Sequence, residues 1–246
     1  MSIPIFMYHQ IDVAPPRGTP LRGLTVSPES FNRQMFALKC LGYRGLSMRD
    51  LEPYLNGKKQ GRVVGVTFDD GYQNNLLHAL PILRKYGFSA TCYAVSGMIG
   101  GQNSWDKDLG VMQKPLMTKH EWLEWAHAGM DIGSHTRTHA DLTQLNENDA
   151  FDQIVNSKNE LEAQLGSEVR HFCFPYGRYC SAHAEMVKQA GYFSATTTNR
   201  GRIEFGDSLY SLHRIMVARA TNIILFAMKI LTRYEDRRRE QSSPAC

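Results

Sequence analysis

Short apolar runs alternate with helix-forming stretches along almost the whole chain, and this alternation constrains the fold more than any other feature. Residues 3–8, 63–68, 88–95, 130–133, 170–174, 192–197 and 209–217 read as strands. Helices are expected between them. One begins at Pro28 with Ser27 as N-cap, one covers 47–55, and one covers 76–86 with Pro81 interrupting it. Others cover 118–128, where Thr118 and Glu121 form a capping pair, 147–165 and 181–190. Repeated strand–helix order calls for a parallel sheet, open or closed. Polar groups follow several different strands: His9, Asp69-Asp70, His135 and Pro175-Tyr176. A barrel gathers all its strand ends at one face, whereas an open sheet gathers fewer, mainly at its crossover point. The uneven strand lengths favour a distorted or incomplete α/β barrel, a single domain over residues 1–236 followed by a basic polar tail at 237–246.

The length of 246 residues suits one such barrel, and 42% apolar residues can fill its core without disulfide staples. Cys40, Cys92, Cys173, Cys180 and Cys246 are dispersed, with no CxxC pair, which argues against a secreted disulfide scaffold. The net charge of +4 is mild. Lys229, Arg233, Arg237, Arg238 and Arg239 form a local basic patch, unlike a groove that tracks nucleic acid, so no nucleic-acid partner is expected. The N-terminus reads as a first strand and not as a signal peptide, and no apolar run approaches the ~20 residues of a membrane span. The expected compartment is the cytoplasm.

Two segments carry most of the chemistry: Thr67-Phe68-Asp69-Asp70-Gly71 and His135-Thr136-Arg137-Thr138-His139. Adjacent buried carboxylates repel each other and lose hydration, costs that a cation relieves. One carboxylate and two imidazoles make a compact divalent-metal site, leaving the second carboxylate free to act on water. A spacing of four places both rings on one face of a helical turn. Taken separately, Asp70 also fits a helix cap and the two histidines a polar loop. Trp105 and Asp106 follow a glycine-rich loop, where the indole suits either a sugar face or an anchor to the core. The apolar residues between Ile223 and Tyr234 suit a last barrel helix, or a helix lying on an anionic membrane with its basic end at the headgroups.

The succession TFDDG, HTRTH and FPYG resembles the polysaccharide deacetylase superfamily, the NodB-homology or family 4 carbohydrate esterases, over roughly residues 1–217. PIFMYHQI and LTVSPESFNRQM resemble the start of one subgroup. The resemblance implies a distorted (β/α)7 barrel that removes acetyl groups from N-acetylated sugars with a divalent metal, most often Zn2+, with Co2+, Ni2+ or Fe2+ as alternatives. It assigns Asp69 as general base, and Asp70, His135 and His139 as metal ligands. Tyr176 contributes an oxyanion-stabilising N–H, on a loop shaped by Pro175 and Gly177. Two departures stand out. Cys173 occupies the place of an arginine that normally orients the base, so Arg178 or Arg214 must pair with Asp69 instead. The late leucine-x-histidine motif reads Leu212-His213-Arg214, one residue out of register, which leaves His213 or His9 as donor to the leaving amine.

Three functions follow: an N-deacetylase in cell-surface glycan or lipopolysaccharide assembly, a metal hydrolase of a non-sugar amide or imide, and a non-catalytic glycan-binding protein. For the first, a sugar on polyprenyl phosphate or lipopolysaccharide would bring the enzyme to the inner face of the cytoplasmic membrane.

Overall fold

The computed structural model describes residues 2–238. Strand β1 (Ile5–Tyr8) comes first. A short parallel pair, β2 (Gln10–Ile11) and β3 (Thr25–Val26), then brackets the proline-rich loop. Helix α1 (Pro28–Cys40) starts where its residues dictate, with Ser27 Oγ accepting the Ser30 N–H at 3.2 Å. β4 (Arg44–Leu46), α2 (Met48–Leu55) and β5 (Val63–Phe68) follow. The next helix is split. A π-helical turn at Asn75–Ala79 runs into α3 (Leu80–Tyr86), whose first turn accepts Pro81 because the N–H there has no intrahelical partner. The remainder is β6 (Thr91–Ala94), α4 (Lys119–His127), β7 (Asp131–Ser134) and α5 (Glu147–Leu165). After these come β8 (His171–Cys173), α6 (Ser181–Gln189), β9 (Ser194–Arg200), β10 (Leu212–Met216) and α7 (Ile223–Leu231).

Among the described residues, β1, β10, β9, β8, β7, β6 and β5 pair in that order, and β5 pairs back onto β1. Seven parallel strands therefore close a barrel. The distortion comes from β4, which pairs with Val63–Gly65 while β6 meets the same strand only at Thr67 and Phe68. β2, β3 and β4 span two or three residues each, too few for alternation to reveal them in the sequence.

Alternation along the longer strands sorts their side chains. Phe6, Tyr8, Val64, Val66, Phe68, Phe172 and Ile215 face outward into the apolar layer beneath the helices. Ile5, Val63, Tyr93, Cys173 and Leu212 form a second cluster with Met48 and Leu51 of α2. That helix closes the N-terminal end of the barrel, with Glu52 bonded to Arg170 and Arg49 paired with Asp131.

The C-terminal apolar segment packs as the last barrel helix. Phe226 stacks on Phe6 at 5.0 Å, and Phe226 and Ile230 are buried, each contributing about 1.5–3 kcal/mol. Ile223, Ile224, Met228 and Leu231 remain exposed on its other side. Lys229 leaves the basic patch, because it is buried against Glu235. Arg237 and Arg238 lie in a short 3-10 turn. Arg239 and the rest of the 237–246 tail lie outside the described residues. No helix among the described residues is long and apolar enough to cross a membrane.

Candidate active site

The inward-facing register of each strand, continued past its end, delivers the site. On β5 the inward series Val63, Gly65, Thr67 leads to Asp69, on β1 Ile5 and Met7 lead to His9, and on β7 Gly133 leads to His135. Asp70 would face outward by this rule. It reaches the site because its backbone turns left-handed, at φ 75°. Thr136, His139 and Tyr176 adopt the same region, at φ 63°, 60° and 58°. Such backbone costs about 1–3 kcal/mol per residue and concentrates at functional sites.

Asp69 and Asp70 have opposite partners. Arg214, on β10, donates two parallel hydrogen bonds to Asp69, at 2.6 and 2.7 Å. The same guanidinium donates to the Thr197 carbonyl, to Thr67 Oγ1 and, at 3.2 Å, to Cys173 Sγ. Cys173 is thus the small side chain that leaves room for an arginine arriving from another strand. Burial alone would raise the Asp69 pKa, but the Arg214 charge outweighs it and holds the group below its ordinary value. Arg178 does not take part: it is exposed and pairs with Asp141 at 2.7 Å.

Asp70 has two imidazoles in place of a guanidinium. Its Oδ1 lies 3.5 Å from His135 Nε2 and 3.3 Å from His139 Nε2. His135 Nδ1 bonds the Cys173 carbonyl at 2.7 Å, which makes Nδ1 the protonated nitrogen of the neutral ring and leaves Nε2 as its free donor atom. The histidines are not on a helical turn, as their spacing suggested, but on a tight turn with two left-handed residues. Helix α5 holds that turn. Arg137 pairs with Asp152 and Glu160, while Gln153 Oε1 accepts the Arg137 and Thr138 N–H groups.

The donor set fits a divalent metal. Ligands ~2.0–2.2 Å from one tetrahedral ion stand roughly 3.3–3.5 Å apart, the separation seen here. Burial first, and then the two histidines acting against it, leave Asp70 well below the usual carboxylate range. Burial also lowers the His139 pKa, which favours the neutral ring a metal needs.

Aromatic side chains line this cluster. Trp105 stacks on His139 with centroids 4.6 Å apart, and Tyr176 meets the same ring edge-on at 4.6 Å. Trp105 therefore bears on a metal-ligand candidate and stays half-buried. Pro175 and Tyr176 form a short 3-10 turn that requires glycine next. Gly177 has φ 68°, and a Cβ there would fall 1.9 Å from Thr198 Oγ1. His9 Nε2 is 3.9 Å from Asp69 Oδ2. Asp106 is buried, and burial followed by the Asp70 charge raises its pKa. His213 lies on β10 between Leu212 and Arg214, where the pairing with β9 shifts register.

A small cleft of about 30 Å³ opens beside Asp70, with His9, Asp106, Gln10, Tyr72 and Lys114 among its walls. Sequence reasoning missed Gln10, Tyr72 and Lys114, because their significance lies only in which loops meet.

Residues 56–195 match the polysaccharide deacetylase family, and the chain belongs to that family. The fold is similar to the Streptococcus pyogenes deacetylase PplD, solved in complex with acetate. The TM-score is 0.81 at 28% identity, covering 94% of this chain and 98% of that one. A polysaccharide deacetylase from Bacillus cereus, BC0361, aligns with TM-score 0.79 and 28% identity, covering 94% of this chain and 69% of that one. The poly-beta-1,6-N-acetyl-D-glucosamine N-deacetylase of Staphylococcus epidermidis is 25% identical over 207 residues, which is 80% of this chain and 70% of the relative.

Proposed function

We propose that this protein is a metal-dependent N-deacetylase that hydrolyses the acetamido group of a sugar in cell-surface glycan assembly. The observation that carries the reading is the division of labour between adjacent carboxylates: Arg214 fixes Asp69, while Asp70 converges with His135 and His139. A divalent ion at Asp70, His135 and His139, with Zn2+ the best match to this donor set, would polarise the acetyl carbonyl and acidify water. Asp69 accepts the proton of the water that attacks the acetyl carbon. Arg214 keeps that carboxylate ionised and aimed. The Tyr176 N–H donates to the developing oxyanion. As the C–N bond breaks, the amine takes a proton from His9, which stands beside Asp69, and acetate leaves. Half-exposed Tyr176 and Trp105 beside an open cleft suit a sugar ring better than a small amide enclosed in a pocket.

The test is acetate release from nucleotide-linked, lipid-linked and oligomeric acetamido sugars by the Zn2+-loaded protein. Release should stop with a chelator and return with metal. Absence of release from the whole panel, with metal bound at full stoichiometry, would favour the glycan-binding alternative. A cytoplasmic, membrane-peripheral location belongs to the same proposal and rests on the outward apolar face of α7. Salt-sensitive sedimentation with anionic vesicles tests it.

A further inference from the structure

The Arg214 side chain is buried, so the five N–H bonds of its guanidinium must find their acceptors inside the barrel. All five do. The Nε–H donates to the Thr197 carbonyl at 2.8 Å. Nη1 donates to Asp69 Oδ1 at 2.6 Å and to Thr67 Oγ1 at 3.1 Å. The Thr67 hydroxyl gives its own proton to the Phe6 carbonyl at 2.8 Å, which frees its lone pairs for the arginine. Nη2 donates to Asp69 Oδ2 at 2.7 Å, and its second N–H meets Cys173 Sγ at 3.2 Å. The sulfur is therefore the last acceptor of a charged group that has no spare donor.

Room alone does not account for a cysteine at this position, since alanine would leave as much. The thiol is oriented for the task. Its S–H is directed to the Phe174 carbonyl at 3.9 Å, so the sulfur lone pairs are left for Arg214. Tyr93 closes another side, with its ring centre 5.9 Å from the guanidinium carbon. The Cys173 carbonyl meanwhile accepts the His135 Nδ1–H at 2.7 Å. One residue of β8 touches both halves of the site through two different atoms.

We propose that Cys173 is a positioning residue. Its sulfur fixes the rotation of Arg214 and thereby the aim of Asp69, whereas its carbonyl fixes the ring of His135. This deepens the N-deacetylase reading and rests on it.

The experiment compares Cys173→Ala and Cys173→Ser, which are nearly equal in volume and differ by one acceptor. In the alanine variant a buried N–H of Arg214 loses its partner. Acetate release should fall about ten-fold in kcat, the scale of one unsatisfied donor, with KM almost unchanged. Zn2+ content should stay at wild-type stoichiometry, because the carbonyl that holds His135 remains. Serine should restore kcat to within about three-fold of the wild type, since its hydroxyl can accept the same N–H. Equal kcat in the two variants would reduce Cys173 to packing and overturn the proposal. Should Cys173→Ala fail to fold, Cys173→Val fills the position without an acceptor and takes its part.

A second measurement tests the route. In an Asp69→Asn background, Cys173→Ala should cost less than about two-fold, because the sulfur acts only through Arg214 and Asp69. A further ten-fold loss in that background overturns the proposal. Chemical denaturation separates this from failure of the deacetylase reading. The stability losses of Cys173→Ala and Arg214→Met should be non-additive, as expected of groups in contact. Additive losses overturn the proposal whatever the activity. Non-additive losses in a protein that releases no acetate would leave the contact standing and sink the reaction it serves.

Discussion

The two ends of the barrel are built from the same residue types and do opposite things. At the N-terminal end, Glu52 receives Arg170 at 2.7 and 3.1 Å with His171 Nε2 3.3 Å away, and Asp131 pairs with Arg49 at 3.0 Å. At the C-terminal end, Asp69 receives Arg214, but Asp70 has only the two imidazoles. At the N-terminal end Glu52 and Asp131 each meet a guanidinium, Arg170 also holding the more exposed Glu168, so it is a closed electrostatic lock. The other has one guanidinium for Asp69 and Asp70 together, and the shortfall is where the proposed metal would sit. A buried acid, a histidine and an arginine therefore say little about function until their charges are counted end by end.

Breaking the open end should have the largest effect. His135→Ala removes one of three ligands, and metal content by elemental analysis should fall close to zero together with acetate release, while the fold survives. Full stoichiometry in this variant would refute the assignment. Asp69→Asn should lower activity by about 10²–10⁴-fold, as expected for a lost general base, with metal content nearly unchanged. If it strips the metal instead, the roles of the two aspartates must be exchanged.

Arg214→Met sharpens the comparison, since it gives the open end a second unpaired carboxylate. Breaking a buried pair from one side costs about 3–5 kcal/mol, readable in chemical denaturation. Cys173→Arg in that background returns a guanidinium from the neighbouring strand and should recover part of both stability and activity. No recovery would mean that the strand of origin matters for aiming Asp69.

The sequence revealed some of this readily and some not at all. β5, α5 and the caps at Ser27 and Thr118 were legible because local propensity and tertiary packing agree there. The inward parity that ends at Asp69 and His135 was legible in outline. The left-handed backbone at Asp70, Thr136 and His139 was not, because nothing in an aspartate, a threonine or a histidine announces φ above zero. Arg214 was one of two arginines that could replace the missing one. Only the fold, which brings Arg214 to Asp69 and leaves Arg178 with Asp141, separates the two. The cleft walls were invisible, since Gln10, Tyr72 and Lys114 are brought together by loops distant in sequence.

At the closed end, Glu52→Gln should cost about 1.5–3 kcal/mol, the range for hydrogen bonds to a charged group, with activity per folded molecule preserved. Burial would raise the Glu52 pKa, but His171 and Arg170 outweigh it and bring it down to about 2. A depressed carboxylate stabilises the fold above its unfolded value of ~4.3 and loses that contribution as pH falls towards its folded value. Between pH 6 and 3, thermal midpoints should therefore drop more steeply in the wild type than in the variant. Parallel curves would remove Glu52 from the lock.

The smallest effect belongs to His213→Ala. The ring lies on the same strand as Arg214, one residue before it, whereas His9 is the imidazole that stands 3.9 Å from Asp69. Activity should stay within about three-fold of the wild type, and the acidic limb of the pH–rate profile should keep its position. His9→Ala provides the contrast, because His9 stands 3.9 Å from Asp69. It should lower kcat by more than about ten-fold, most severely for substrates with the poorest leaving amines. If the two variants exchange these outcomes, β10 must present His213 to the substrate in the working enzyme. His9 would then be left as a neighbour that only positions Asp69.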